Sequence, residues 1–303
     1  MCHPRSVSSR CRPTGLQGSA SARPPLAYRG AILLGRFLAR YVFGMRMTLE
    51  GRENLPHDAG GRRTGGWIAA PMAHRSWVDP FVEVVTLPLA PHFYFFGDGR
   101  VMYLTAFRRF LFRLIGGIVP VWPRGGRRAF FEHLDAAARV VGVGAVFVIH
   151  PEAASALPPP GRLRTVQAGV GYLALRTGAP VVPMLLGGTT DLYRGRRLTL
   201  RVLPAISVHE LAGLPPGELP ERESPEEKAA ARRIAERLEE MLTPLVAERF
   251  ERDVAESAKD RRRWRWLNHW LDLEWEGDQA RKRTRDFDLP AEEPADEAPS
   301  TSP

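Results

Sequence analysis

Two short, unbroken apolar runs, Ala145 to Ile149 and Val181 to Leu186, restrict what this chain can become more than any other feature. A strand covered on one face alternates apolar and polar residues, whereas a run without alternation is covered on both. Each run follows a stretch of helical periodicity, Arg127 to Val141 and Thr165 to Arg176, and Gly178 supplies a stop for the second. Further strands are expected at Arg46 to Glu50, Gly66 to Ala70, His92 to Phe96 and Ile118 to Val121, and Leu198 to Leu203 alternates as an edge strand does. Helices are expected at Arg29 to Phe43, Pro80 to Leu87 and Tyr103 to Ile115, the last with Leu104, Phe107, Phe110, Leu111 and Leu114 on one side and Gly116-Gly117 as its stop. Strands alternating with helices define an α/β domain with a mixed, largely covered sheet flanked by helices.

That domain spans about residues 28–215. Residues 1–27 read as a disordered basic tail. Residues 216–276 read as a helical extension, opened by Ser224-Pro225-Glu226-Glu227 (cap, Pro at the first position, acids in the first turn) and running to about Asp260. Residues 277–303 read as a disordered, acidic, Pro-rich tail. With 303 residues, 44% of them hydrophobic, the chain can build a sizeable core. Cys2 and Cys11 both fall in the first tail, which leaves no disulfide framework and no Cys-rich metal signature.

A net charge of +9 favours polyanionic partners: nucleic acid, an anionic membrane face or phosphorylated substrates. No secretory signal is visible in residues 1–25. The longest strongly apolar run, Ala31 to Gly44, is interrupted by Arg36 and Arg40 and falls short of the roughly 20 residues a spanning helix needs. The helix expected there has two readings. It lies in a membrane interface, with Ile32, Leu33, Phe37 and Leu38 on one broad face, or it packs on the core with two solvated arginines. Arg261-Arg262-Arg263-Trp264-Arg265-Trp266, followed by Trp270 and Trp275, suits a membrane interface, and such a cluster also suits base stacking. No recognisable nucleic-acid motif accompanies it, so the expected partners do not include nucleic acid.

Chemistry concentrates in Ala73-His74-Arg75-Ser76-Trp77-Val78-Asp79-Pro80, between a strand and a helix. Loops after strands of an α/β sheet are where sites are built. If the intervening turn folds back, Asp79 can accept the proton-bearing nitrogen of His74, which fixes the tautomer and leaves the other nitrogen free to take a proton.

In the form His-x-x-x-x-Asp, this block resembles the first motif of the glycerolipid acyltransferases, a family that includes the 1-acylglycerol-3-phosphate acyltransferases. Three more blocks follow in that family's order: Gly116-Gly117-Ile118-Val119-Pro120-Val121-Trp122-Pro123-Arg124, then Val148-Ile149-His150-Pro151-Glu152, then Ala179-Pro180-Val181-Val182-Pro183. The resemblance covers about residues 30–205 and implies a glycerol-3-phosphate acyltransferase-like fold. It implies a fatty acyl transfer from acyl-CoA or acyl-carrier protein to a hydroxyl of a lysophospholipid or related lipid, with no metal and no cofactor beyond the acyl donor. Contact with the cytoplasmic face of an anionic membrane, peripheral or monotopic, is a separate expectation that rests on the 29–43 helix, the arginine-decorated 103–115 helix and the Arg/Trp segment 261–275. His74 would be the general base and Asp79 its orienting partner. Arg124 and Glu152 would bind the acceptor, with Arg75 and Ser76 as further substrate contacts. His150 stands where the family carries an aromatic residue and reads as structural.

The third motif departs from the family. Where Gly-Thr-Arg follows Pro-Glu, this chain has Ala153-Ala154-Ser155, and Gln167 stands where a lysine is common. Two cations expected to hold an acceptor phosphate are therefore neutral, and such charge-assisted contacts are strong. Either the acceptor lacks a terminal phosphomonoester, or Arg162 and Arg164 supply the charge from the following loop. The rival reading is a degenerate relative that binds lipid or acyl-CoA without turnover.

Overall fold

A computed structural model describes residues 20–72, 78–98, 110, 116–121, 126–152, 162–189 and 192–259. Among these residues the strands are β1 (Arg46–Glu50), β2 (Trp67–Met72), β3 (Phe93–Asp98), β4 (Ile118–Val121), β5 (Val146–Val148), β6 (Val181–Gly187) and β7 (Arg197–Val202). The helices are α1 (Leu26–Phe37), α2 (Asp79–Thr86), α3 (Gly126–Gly142), α4 (Gly169–Thr177), α5 (Val208–Ala212) and α6 (Pro225–Lys259). The strands form one sheet in the order β1-β7-β6-β2-β5-β3-β4. β6, β2, β5, β3 and β4 run parallel, and the direction reverses at β7, which pairs antiparallel with β6 and parallel with β1. The mixed, helix-flanked α/β architecture expected from the sequence is the one observed.

The unbroken apolar runs have the cause inferred for them. In β2, Ile68, Ala70 and Met72 point into a core shared with α3, α4, α5 and α6, while Trp67 and Ala69 point into a second core with Val82 of α2. β6 divides in the same way, Val181 and Leu185 to one side, Val182 and Met184 to the other. All seven residues of β6 are buried.

Three expectations need correction. β7 is not an edge strand: it is paired on both sides, and Thr199 at its centre is buried. β1, contributed about 150 residues earlier, takes the edge. Next, α4 begins at Gly169 rather than Thr165, because the segment before it is held elsewhere. The Val166 N–H donates to Glu239 of α6 at 2.8 Å and the Gln167 N–H to the Pro151 carbonyl at 2.7 Å. Lastly, the first helix starts at Leu26 and passes at Leu38–Val42 into a π turn. Neither sequence reading of it fits whole, because Arg36 is not solvated. Its guanidinium donates to the carbonyls of Val85 (2.7 Å) and Leu87 (2.5 Å), satisfying the C-terminal end of α2. Tyr28 and Ile32 face the protein, and Leu33, Leu34, Phe37 and Tyr41 are exposed. The helix expected over Tyr103 to Ile115 lies outside the described residues apart from Phe110, which is helical.

α6 starts as its sequence indicates: the Glu227 N–H donates to Ser224 Oγ at 3.0 Å, and Pro225 needs no donor. Its apolar stripe, including Ala231, Ile234, Leu238, Leu242 and Val246, is buried in the core that covers α4. The helices cross closely at Gly171, where a β-carbon would meet the Ala231 carbonyl oxygen at 2.3 Å. Gly171→Ala is therefore expected to destabilise the protein by roughly 1–3 kcal/mol, the usual cost of overpacking a core. Gly30→Ala, on an exposed position of α1 with nothing within 4 Å, is the control and should not destabilise. Urea unfolding of the two variants checks this; equal midpoints would show that the crossing tolerates a methyl group.

Candidate active site

The five parallel strands end on one edge, where β2 finishes at Met72 beside Leu185 of β6. His74, Arg75, Ser76 and Arg124 lie outside the described residues. Asp79 is the first residue of α2, with no accessible surface, and Pro80 follows it inside the first turn. A carboxylate there gains from the positive end of the helix. One turn on, Glu83 is buried to the same degree, at 1% exposed.

His150 lies two residues beyond the end of β5. Alternate residues Val146 and Val148 face the α2 side of the sheet, and His150 continues that alternation. Its Nε2 sits 3.0 and 3.1 Å from the two oxygens of Glu83. Burial, the largest single influence, lowers the pKa of this imidazole, but the charge and hydrogen bond of Glu83 together with the charges of Asp79 and Glu152 outweigh it, and the net direction is upward. His150 is therefore an imidazolium at a higher pH than a free histidine. Its ion pair with Glu83 contributes stability fully below the ordinary value of 6.5 and loses it as pH rises through the raised one.

Glu152 is half-buried, and its backbone bridges to Val166. The stretch before Val166 carries Arg162, exposed, and Arg164, half-buried. The structure thus brings Asp79, Glu152, Glu83 and His150 to one edge and runs the Arg162–Arg164 stretch into it. Glu83 and His150 were missed as site residues. They are 67 positions apart and no spacing joins them.

The end of β6 borders the same edge. Arg249 of α6 lays its guanidinium over Gly187, where a β-carbon would meet Nε at 1.9 Å, so glycine is what admits it. The Gly188 N–H donates to Asp253 Oδ2 at 2.8 Å, and Asp253 lies 3.0 Å from Arg249 and 3.5 Å from the fully buried Arg196. A separate recess of about 680 Å³, lined by Asp135, Arg139, Arg176 and Pro180 among others, opens at the amino ends of β2 and β6, away from these acids.

Residues 46–187, just under half of the chain, match the family described as Acyltransferase. Asp79, Glu83, His150 and Glu152 all fall within that segment. Among solved structures, the 1-acyl-sn-glycerophosphate (LPA) acyltransferase PlsC from Thermotoga maritima is similar at 19% identity and a TM-score of 0.48, over 73% of this chain and 80% of that one. No curated protein matches the chain.

Proposed function

We propose that this protein is an O-acyltransferase that moves a fatty acyl group from acyl-CoA or acyl-carrier protein to a hydroxyl of a lysophospholipid or related lipid. The observation that carries this reading is a fully buried Asp79 opening α2 five residues after His74, at the carboxyl edge of the five parallel strands, inside a segment similar to acyltransferases. In this mechanism His74 takes the proton of the acceptor hydroxyl while Asp79 holds its ring. The oxygen attacks the thioester carbonyl carbon, the tetrahedral oxyanion collapses, the carbon–sulfur bond breaks, and the thiolate leaves with the proton from His74. Glu152 and Arg124 hold the acceptor, Arg75 and Ser76 add contacts, and Arg162 or Arg164 supplies the charge that Ala153-Ala154-Ser155 no longer provides.

Thiol release from a panel of acyl-CoA and acyl-carrier-protein donors tests this, with lysophosphatidate, other lysophospholipids and non-phosphorylated alcohols as acceptors. Release that is lost in His74→Ala supports the enzyme, and the preferred acceptor reports on the third motif. Release no greater than in the variant with every donor favours the non-catalytic binder, the reading that Ala153-Ala154-Ser155 supports.

The proposed location is the cytoplasmic face of a membrane, bound peripherally or monotopically. No helix among the described residues is long and apolar enough to cross one. Leu33, Leu34, Phe37 and Tyr41 are each more than half exposed, with Arg29 and Arg40 exposed beside them, a pattern suited to an anionic interface. Vesicle flotation should show binding that rises with anionic lipid and drops in a Leu34→Glu/Phe37→Glu variant. Equal recovery with and without vesicles would exclude the surface.

A further inference from the structure

Asp79 and Glu83 stand at i,i+4 on one face of α2, and both are withdrawn from water. Like charges so placed repel, and more strongly in a low-dielectric site. Only Asp79 has a part in the proposed reaction, and Glu83 would burden it with a second negative charge. The structure supplies the compensation: both oxygens of Glu83 meet Nε2 of His150, which approaches from the end of β5. The described groups facing this imidazole are Glu83 and Asp79 from α2 and Glu152 from its own segment.

We propose that His150 is a positioning residue of the acyl-transfer site: as the imidazolium partner of Glu83 it cancels the second buried carboxylate of α2 and leaves Asp79 as the carboxylate that answers the base. The role rests on the acyl-transfer reading. Removing the cation while Glu83 stays leaves the cluster one unit more negative, and added negative charge at the site favours the protonated form of a histidine base. The base then takes up its proton at a higher pH and is disabled earlier on acidification. Removing Glu83 together with His150 restores the charge balance.

The test is the pH dependence of kcat/KM for thiol release in wild type, His150→Gln, Glu83→Gln and the double variant. The acid limb of His150→Gln is expected to move up by roughly one pH unit, a typical effect of a neighbouring charge. Activity below the limb should then fall about tenfold more than activity on the plateau. The double variant should return the limb towards wild type, and Glu83→Gln should not move it up. An unmoved limb in His150→Gln, or a double variant displaced as far as the single, overturns the positioning role. A merely structural pair would lower activity evenly across pH. If His150→Gln fails to fold, NMR titration of labelled imidazole in Glu83→Gln decides: the His150 titration should move to lower pH, and an unmoved one overturns the proposal. Wild-type protein silent towards every donor would sink the acyl-transfer reading itself, which separates that failure from this one.

Discussion

Asp79→Asn is expected to lower thiol release by about 10²–10⁴-fold, the range that general base catalysis supplies, without lowering the melting temperature. The amide matches the carboxylate in size but presents no fixed negative charge, so the base loses the partner that selects its tautomer. Stability moves differently. Asp79 is fully buried near both Glu83 and His150, so the substitution relieves a repulsion with the first and gives up an attraction to the imidazolium of the second. Also given up is a favourable first-turn charge, about 0.3–1 kcal/mol. Relief and losses nearly offset. Kinetics and thermal unfolding on the same preparation separate the possibilities: stability lost in step with activity would mark Asp79 as a helix-start residue and nothing more.

The largest effect on stability is expected at Asp253. Its carboxylate accepts the Gly188 N–H at 2.8 Å and lies within ion-pair distance of Arg249 and of Arg196, which has no accessible surface. Asp253→Ala leaves buried guanidinium charge and a backbone donor without that acceptor, a class of change that costs about 3–5 kcal/mol. Glu256→Ala is the internal comparison. Glu256 reaches Arg196 at 3.9 Å with a side chain 38% exposed, and pairs of that kind contribute at most about 1 kcal/mol. Chemical denaturation at neutral pH should rank the two variants widely apart. Equal losses would mean that α6 is held by its apolar stripe and not by this network.

What could be read from the residues and what could not divides along physical lines. β5 and β6 were visible as apolar runs because burial on both faces acts on each residue independently of its distant neighbours. The start of α6 was visible because capping is a contact between adjacent residues, Ser224 with Glu227. The position of β7 within the sheet was not, since Leu198, Leu200 and Val202 alternate alike whether or not β1 lies outside them. In the site, the step from strand to helix at Asp79 was legible as a loop carrying acid and base types. The pairing of Glu83 with His150 depends on α2 and β5 meeting across the sheet, which no spacing encodes. Arg196 carries no motif that singles it out, and the carboxylates that face it, Asp253 and Glu256, stand at the far end of a 35-residue helix.

The pairing of β1 with β7 also bears on the order in which a growing chain can assemble. β1 is made early, yet its hydrogen-bonding partner emerges from the ribosome only after residue 202. The stripe of α6 that covers α4 emerges later still. A fragment cut to the similar segment, 46–187, would keep β1 and lose what pairs with it, and would leave the β6 backbone and the α4 face open to other chains. The length of chain that similarity marks out is thus shorter than the length that can stand alone.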